Sequence, residues 1–324
     1  MLQPIRPVVR DGDLYLPAVD LWLDPARSRQ TAFVSHAHGD HVRSRHASVL
    51  CTPATAGLIR LRMRRFRATT LEFDQKIQRK GYTIRLIPAG HILGSAQLVV
   101  ESPGWRFVYT GDFKLTESLT CPPAEVVPTD CLLMESTFAQ ARYRFPPVAM
   151  LRERIVAFAN TALAAGKAPV LLGYAVGKGP ELVRILQAAG VPVVAGSEII
   201  RTVEIYRRFG VPFDPLEGWW GRQRAAALVT TPGAWARTHR NPAEWRVAIA
   251  TGWAGDEPTF DALQYDEMIP LSDHADWPGL WQYVERAGPR ETYVVHGRAG
   301  PFARALRAKG YEAQALLAEG QQQG

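Results

Sequence analysis

The chain has 324 residues, a formal net charge of +7 and a sequence pI of about 9.5. This length can form one large domain or two moderate ones, and the basic balance favours a polyanionic partner such as nucleic acid. The three cysteines, Cys51, Cys121 and Cys131, are scattered, which excludes a disulfide framework and indicates a reducing, cytoplasmic setting. With no run of about eighteen apolar residues and no signal-peptide pattern, we expect no membrane association.

Residues 31–35 are predicted to form a buried strand, and four metal-binding side chains follow it directly: His36, His38, Asp40 and His41. Imidazole and carboxylate groups are ligands for Zn²⁺, Mn²⁺ and Fe²⁺. His36 and His38 share one side of an extended segment, and a bend at Gly39 turns the other two side chains towards a second point. Since a catalytic zinc usually has three protein ligands, the four side chains of the motif indicate two metals. Two metals that lie about 3.5–4 Å apart can stabilise both the attacking and the leaving oxygen of a phosphoryl displacement.

A strand over residues 48–51 and a helix over residues 53–65 come next. Five arginines crowd the end of this helix and the residues after it: Arg60, Arg62, Arg64, Arg65 and Arg67. Either a solvated helix face or a set of phosphate contacts explains them. Arg43 and Arg45, which follow the metal motif directly, are candidate substrate contacts for the same reason.

Predicted strands over residues 83–87, 96–101 and 106–110 complete a β-rich first half. Three more candidate ligands follow apolar strands, each beside a glycine: His91, Asp112 and His296. Because side chains at one edge of a sheet converge although they are distant in sequence, we expect these three to join the first motif.

From Phe145 onwards, helices alternate with single strands, which is typical of a parallel sheet with crossover helices. The predicted elements are helices over 148–165, 179–189 and 198–209 and strands over 170–174, 191–195 and 226–230. From about Arg246 the β-rich character returns. The prediction is therefore an α/β protein with one domain formed by residues 1–145 and 246–324 and an inserted α/β domain of residues 146–245.

The segment from Gly173 to Gly179 lacks the glycine spacing of a nucleotide-binding P-loop, so no NTP site is predicted. A helix starting near Gly179 can still hold a nucleic-acid phosphate at its N-terminus, aided by Lys178. Asp276, which precedes Trp277 and Pro278, is predicted to be a helix N-cap without a chemical role.

The order His-x-His-x-Asp-His, Gly-His and Thr-Gly-Asp resembles the metallo-β-lactamase superfamily. Three later segments, 133–138, 271–276 and 294–297, resemble the additional motifs of the β-CASP nucleases, which include Artemis-like DNA nucleases and RNA 3′-end-processing endonucleases. The motifs extend from about residue 20 to residue 300. Segments 109–114 and 134–138 and the short length are most similar to bacterial ligase-associated DNA exonucleases. The resemblance implies an αββα sandwich with an inserted β-CASP domain.

The resemblance also implies a site with two divalent ions, Zn or Mn. One metal would be bound by His36, His38 and His91, the other by Asp40, His41 and His296, and Asp112 would bridge them. Asp24 would orient a metal ligand, a role for which Asp20 is a weaker candidate. Glu135 and His274 would lie near the scissile bond, where a histidine held by a carboxylate can protonate the leaving oxygen, with a typical rate effect of roughly 10²–10⁴. The implied catalytic residues are Asp40, Glu135, His274 and Asp24.

The expected function is a two-metal DNA exonuclease in repair, with DNA as substrate and, from the resemblance alone, an ATP-dependent DNA ligase and a helicase as partners. An RNA-processing nuclease is the near alternative, because His296 and the residues around His274 resemble that branch; the absence of an appended RNA-binding module favours DNA. A small-molecule hydrolase of lactamase or glyoxalase type would need neither the inserted domain nor Glu135 and His274. A catalytically silent nucleic-acid-binding subunit would be expected to lack ligands, whereas every position is filled here.

Overall fold

The computed structural model describes residues 4–42, 45–219, 225–238, 242–254 and 265–316. The chain folds into two compact units. The first unit comprises residues 1–116, 122–144 and 274–324, and the second comprises residues 117–121 and 145–273.

Nineteen strands and seven α-helices are formed within the described residues. In the first half of the chain they are β1 (Val8–Arg10), β2 (Asp13–Leu16), β3 (Leu21–Leu23), β4 (Thr31–Phe33), β5 (Ser48–Cys51), α1 (Pro53–Arg60), β6 (Thr69–Thr70), β7 (Ile77–Arg79), β8 (Tyr82–Pro88), β9 (Ala96–Ser102), β10 (Trp105–Tyr109), β11 (Cys131–Glu135) and α2 (Val148–Ala164). In the second half they are β12 (Ala168–Leu172), α3 (Lys178–Ala188), β13 (Val193–Ala195), α4 (Ser197–Arg208), β14 (Glu217–Gly218), β15 (Ala227–Thr230), α5 (Pro232–Ala236), β16 (Trp245–Ala250), β17 (Glu267–Ile269), α6 (Trp277–Ala287), β18 (Glu291–Val295), α7 (Ala299–Ala308) and β19 (Ala313–Ala315). Short 3₁₀ turns occupy Pro17–Val19 and Pro242–Glu244.

The first unit is a sandwich of two sheets, with strand orders β1-β2-β3-β4-β5-β6 and β19-β18-β11-β10-β9-β8-β7. Leu23 and Phe33 of the first sheet share a buried core with Leu98 and Tyr109 of the second, so the two sheets pack face to face. Alternate residues of the second sheet, among them Val108, point the other way and pack against α6 and α7. This arrangement agrees with the predicted fold class.

The second unit is built on a six-stranded, entirely parallel sheet, β14-β13-β15-β12-β16-β17. Its strands are apolar on both faces, as parallel strands covered on both sides are. The alternation of helices and strands therefore predicted the architecture of this part of the chain. None of the helices among the described residues is both long and apolar enough to cross a membrane.

The predicted C-terminal boundary of the inserted domain, residue 245, differs from the structure, in which the second unit extends to Asp273. The strand that begins at Trp245 pairs in parallel with β12 in the middle of the sheet, with Val170 opposite Val247. The return of strands near Arg246 was predicted correctly, but β16 and β17 belong to the second unit, whereas β18 and β19 belong to the first. A local pattern predicts a strand and leaves its partner undetermined.

Candidate metal centre

The predicted bend around Gly39 is present. The strand β4 ends at Phe33, two residues earlier than predicted, and the His41 N–H donates to the His38 carbonyl oxygen at 3.3 Å, which closes a turn around Gly39. The rings of His36 and His38 lie with their centroids 4.9 Å apart. The motif thus places its histidines together directly after a buried strand.

The other predicted ligands lie where strands of the second sheet end, as expected. His91 follows β8, Asp112 follows β10 and His296 follows β18. At Gly111, whose φ is +53°, a Cβ atom would lie 2.6 Å from the Cβ of Ser35. Because only glycine fits this approach, the turn brings Asp112 against the segment that carries the histidines.

Among the described residues, three groups of side chains have ligand atoms within 4.8 Å of one another: His36, His38 and His91; His36, His41 and Asp112; and His91, Asp112 and His274. The first group is the predicted ligand set of the first metal. A single oxygen, Oδ2 of Asp112, lies 3.5 Å from His36 Nε2, 3.3 Å from His41 Nε2, 3.8 Å from His91 Nε2 and 4.0 Å from His274 Nε2. A carboxylate in this central position can be shared by two cations.

The second predicted ligand set is not gathered in the same way, because Asp40 and His296 belong to none of the three groups. The Asp40 carboxylate lies 3.8 Å from His41 Nε2, and its side chain is 63% exposed. The His296 ring centroid is 5.4 Å from that of His41. His296 also has a φ of +58°, a backbone conformation that is costly for a non-glycine residue and that clusters at functional sites.

Burial and the carboxylates set the charges of this cluster. Burial opposes ionisation of Asp112, but the neighbouring imidazolium charges of His41 and His274 hold its pKa well below its usual range. Burial likewise opposes charge on His41, yet Asp112 and Asp24 hold the pKa of His41 well above its usual value. The same negative surroundings that favour a proton on His41 favour a divalent cation in place of that proton.

The pKa values of His36 and His296 shift in the opposite direction. Burial, and then the charge of His41, lowers the pKa of His36 well below its usual value and lowers that of His296. Both rings are therefore neutral at pH 7, which is the form that binds a metal.

Asp24 lies against His41, the neighbour that its predicted role requires. Its Oδ2 atom is 2.9 Å from His41 Nδ1 and accepts hydrogen bonds from the Ser35 hydroxyl at 2.6 Å and the Tyr109 hydroxyl at 2.8 Å. Asp24 Oδ1 accepts from the Ser35 backbone N–H at 2.7 Å. Because Nδ1 of His41 is directed to Asp24, its Nε2 faces Asp112. Asp20, the weaker candidate, instead accepts a hydrogen bond from Tyr15 at 2.8 Å.

Ser35 and Tyr109 donate hydrogen bonds to Asp24, and the motifs did not single them out. Each lies within three residues of a predicted ligand, but hydroxyl side chains beside a motif are common. Only the packing of the two sheets brings both hydroxyls to one carboxylate.

The predicted pair of Glu135 and His274 forms. His274 Nδ1 lies 2.9 Å from Glu135 Oε1 and 3.0 Å from Oε2, and Glu135 is fully buried at the end of β11. The backbone N–H of Phe113 also donates to Glu135 Oε1, at 2.9 Å. Asp276, predicted to be an N-cap, accepts from the Gly279 N–H at 3.0 Å at the start of α6.

The candidate substrate contacts have three different outcomes. Lys178 is 6% exposed, and its Nζ atom lies 2.7 Å from Asp273 Oδ2, so its charge is used inside the second unit and the predicted phosphate contact is not supported. A sequence pattern cannot reveal such a partner, which is 95 residues away. Arg45 is exposed, and Arg43 lies outside the described residues.

A family model described as a beta-lactamase superfamily domain matches residues 17–170. A probable DNA ligase of Opitutus terrae is 36% identical over 94% of this chain, Endoribonuclease YSH1 of Eremothecium gossypii is 30% identical over 37%, and 5′ exonuclease Apollo of Danio rerio is 24% identical over 89%. The chain spans 30%, 16% and 52% of the lengths of these three relatives.

A crystal structure of a protein of unknown function from Enterococcus faecalis shares the fold, with a TM-score of 0.59 and 13% identity over 89% of this chain and 79% of that one. The family match indicates a domain of the beta-lactamase superfamily. The cluster of histidines and aspartate fits a divalent metal site. The chain therefore contains a domain of the metallo-β-lactamase superfamily over residues 17–170, and the relatives named here fit the β-CASP branch.

Proposed function

We propose that the chain is a nuclease that uses two divalent ions, Zn or Mn, to hydrolyse DNA phosphodiesters as an exonuclease in repair. The observation that carries this proposal is the central position of Asp112, whose Oδ2 atom lies within 4.0 Å of a nitrogen of His36, His41, His91 and His274. The adjacent Glu135–His274 pair supplies the acid that phosphodiester cleavage needs.

The donor set fits divalent metal ions. It combines imidazole nitrogens with a carboxylate that neighbouring charge keeps ionised, and His36 Nε2 is buried without a hydrogen-bond partner among the described residues. When bound, divalent ions supply Lewis-acid stabilisation of phosphoryl charge and a nucleophile at neutral pH. We assign one ion to His36, His38 and His91, the other to His41 with Asp40 and His296, and the shared position to Asp112.

Carboxylates of the chain orient two histidines, and one of these histidines protonates the leaving oxygen. Asp24 holds His41 in one orientation through its Nδ1 contact at 2.9 Å. Glu135 does the same for His274, whose Nε2 faces the Asp112 side of the cluster at 4.0 Å. A protonated His274 held in this way donates its Nε2 proton to the leaving sugar oxygen, and the negative charge of Glu135 stabilises the imidazolium before transfer.

We favour DNA as the substrate because the probable DNA ligase is 36% identical over 94% of this chain, whereas Endoribonuclease YSH1 of Candida albicans is 29% identical over 74%. The 5′ exonuclease Apollo supports attack at strand ends. A repair ligase as partner rests on the name of the first relative alone, and a helicase partner and a cytoplasmic setting remain predictions.

The test is product mapping with Zn²⁺ or Mn²⁺ on matched single-stranded DNA and RNA of one sequence, labelled at either end. We expect mononucleotides released from one end of the DNA strand and little cleavage of RNA. Preferred RNA cleavage would support the RNA-processing alternative, internal cuts would refute exonuclease action, and tight DNA binding by a metal-free, inert protein would support the silent-subunit alternative.

Replacing Asp24 with Asn is expected to weaken metal binding roughly 10- to 100-fold, the usual effect of losing the carboxylate behind a metal-binding histidine. The matched control is Asp20→Asn, because Asp20 has a similar left-handed backbone, with φ of +49° against +43° for Asp24, and its carboxylate contacts Tyr15 instead of His41. Metal titration by calorimetry measures both variants. Equal metal affinity in the two variants would remove Asp24 from its orienting role.

A further inference from the structure

The first unit contains an arginine-lined cavity that the metal centre does not use. It has a volume of about 480 Å³ and is formed by residues 45–47 and 61–67. Five of its ten lining residues are arginines: Arg45, Arg62, Arg64, Arg65 and Arg67. We call it the arginine pocket.

The arginine pocket is not the solvated helix face that was one explanation of these residues. Helix α1 ends at Arg60, five residues earlier than predicted, so Arg62, Arg64, Arg65 and Arg67 all lie beyond it. Helical spacing would have distributed their charges around a cylinder. The turn instead gathers them around one cavity.

Backbone hydrogen bonds and one buried side chain stabilise this turn over residues 59–66. The Met63 N–H donates to Ile59 O at 2.9 Å, the Phe66 N–H donates to Met63 O at 2.9 Å, and the Phe66 side chain is 8% exposed. A buried aromatic ring and consecutive backbone hydrogen bonds fix the segment before any ligand arrives, which lowers the entropic cost of binding.

The arginine pocket holds more positive charge than its neighbouring carboxylates offset. Within the described residues, none of its five arginines forms a salt bridge with a carboxylate. Like charges brought together in this way repel one another, so a bound polyanion would relieve this repulsion. Guanidinium groups are also the side chains best suited to phosphate, because they donate two parallel hydrogen bonds.

His46, which also lines the cavity, carries a buried donor. The Arg29 backbone N–H donates to His46 Nδ1 at 3.3 Å, so the proton of the neutral ring is on Nε2. This Nε2 has no hydrogen-bond partner among the described residues. The pocket thus offers side-chain donors, which is the chemistry of an anion site.

The arginine pocket is next to the metal motif. A Cβ on Gly39 would lie 3.7 Å from Nη1 of Arg62, and the charge of Asp40 acts on the Arg62 guanidinium. A strand with its scissile phosphate at the histidine cluster therefore has neighbouring phosphates within reach of the pocket.

We propose that the arginine pocket binds phosphates of the substrate strand beside the cleaved bond, through Arg62, Arg65 and their neighbours. This inference rests on the proposed nuclease function. It predicts that the pocket contributes salt-dependent affinity that does not depend on base sequence.

The test compares Arg62→Gln/Arg65→Gln with Arg286→Gln/Arg304→Gln, which removes two exposed arginines of α6 and α7 and changes the net charge equally. Binding of a fluorescent single-stranded DNA 20-mer is measured by anisotropy from about 50 to 200 mM salt. For the pocket variant we expect binding weaker by about tenfold or more and a slope of log K against log salt smaller by about 1.4, from two lost single-strand contacts of about 0.7 each. We expect the control variant to bind like the wild type.

Equal binding by the two double variants, both folded by circular dichroism, would overturn the proposal for the arginine pocket. The same measurement on strands with and without a terminal phosphate shows which phosphates the pocket binds. If the pocket variant binds strands that lack the terminal phosphate as well as the wild type does, the pocket binds the phosphate at the strand end. If the wild type cleaves the strand and only the pocket comparison fails, the nuclease function stands. If the wild type neither binds nor cleaves DNA or RNA, both proposals fail.

Discussion

Replacing Asp112 with alanine is expected to reduce hydrolysis of DNA by at least about 1000-fold and to lower the bound metal. Stabilisation of phosphoryl charge by metal ions is worth several kcal/mol, and each loss of about 1.4 kcal/mol is tenfold in rate. The Asp112 Oδ2 atom is the one carboxylate oxygen within 4.0 Å of four described histidine nitrogens, so its removal affects both proposed ions together. Metal per protein is measured by emission spectrometry and the rate by single-turnover cleavage.

The matched control is Asp130→Asn. Asp130 is a carboxylate of the same unit, located at a loop–strand junction, where it accepts a hydrogen bond from the Arg106 N–H at 2.8 Å. It should retain full metal content and a rate near that of the wild type. Wild-type activity in Asp112→Ala, or an undiminished metal content, would refute the shared-ligand assignment.

Replacing His274 with alanine is expected to slow cleavage of DNA by roughly 10²–10⁴ while the metal content stays unchanged. The reason is that Glu135, 2.9 Å from His274 Nδ1, holds the ring as an acid and leaves its other nitrogen for the leaving oxygen. The rate on DNA and the metal content of the same sample are measured together. Loss of metal in this variant would instead make His274 a ligand, which its grouping with His91 and Asp112 would then explain.

A substrate with a good leaving group separates the acid role from a general loss of structure. A p-nitrophenyl phosphodiester releases a stable phenolate that needs no proton, so His274→Ala should cleave it at nearly the wild-type rate. The double variant with Glu135→Gln should be little slower on DNA than His274→Ala alone, because the two residues act as a unit. An equal defect on both substrates would exclude proton donation by His274.

Several features of this site follow from local sequence because they depend on residues close together. The bend at Gly39 and the close group of His36 and His38 arise within six positions. His91 and Asp112 were found because strands of one sheet end at one edge, and a short apolar run followed by glycine marks such an end. Short apolar runs likewise predicted eight of the nineteen described strands, each to within two residues of its observed ends.

Other features depend on which elements meet, and these were not predictable in the same way. Lys178 lies in a sequence pattern that suggests phosphate binding, but its Nζ atom forms an ion pair with Asp273. The β-rich character from about Arg246 was predicted to belong to the first domain, but the strand that begins at Trp245 pairs with β12 in the second unit. Asp40 is close in sequence to three predicted ligands, yet its side chain is 63% exposed in the folded chain.

The amino-acid sequence by itself determined the chemistry available: the histidines and carboxylates, the strand ends that carry them, the excess of arginine and the alternation that forms a parallel sheet. Only the tertiary structure decided the central place of Asp112, the joint hold of Ser35 and Tyr109 on Asp24, the extent of the second unit and the gathering of arginines around one cavity. The physical reason is that side-chain type and periodicity act over a few residues, whereas charge compensation, burial and pairing depend on distances between segments that the chain brings together only when it folds.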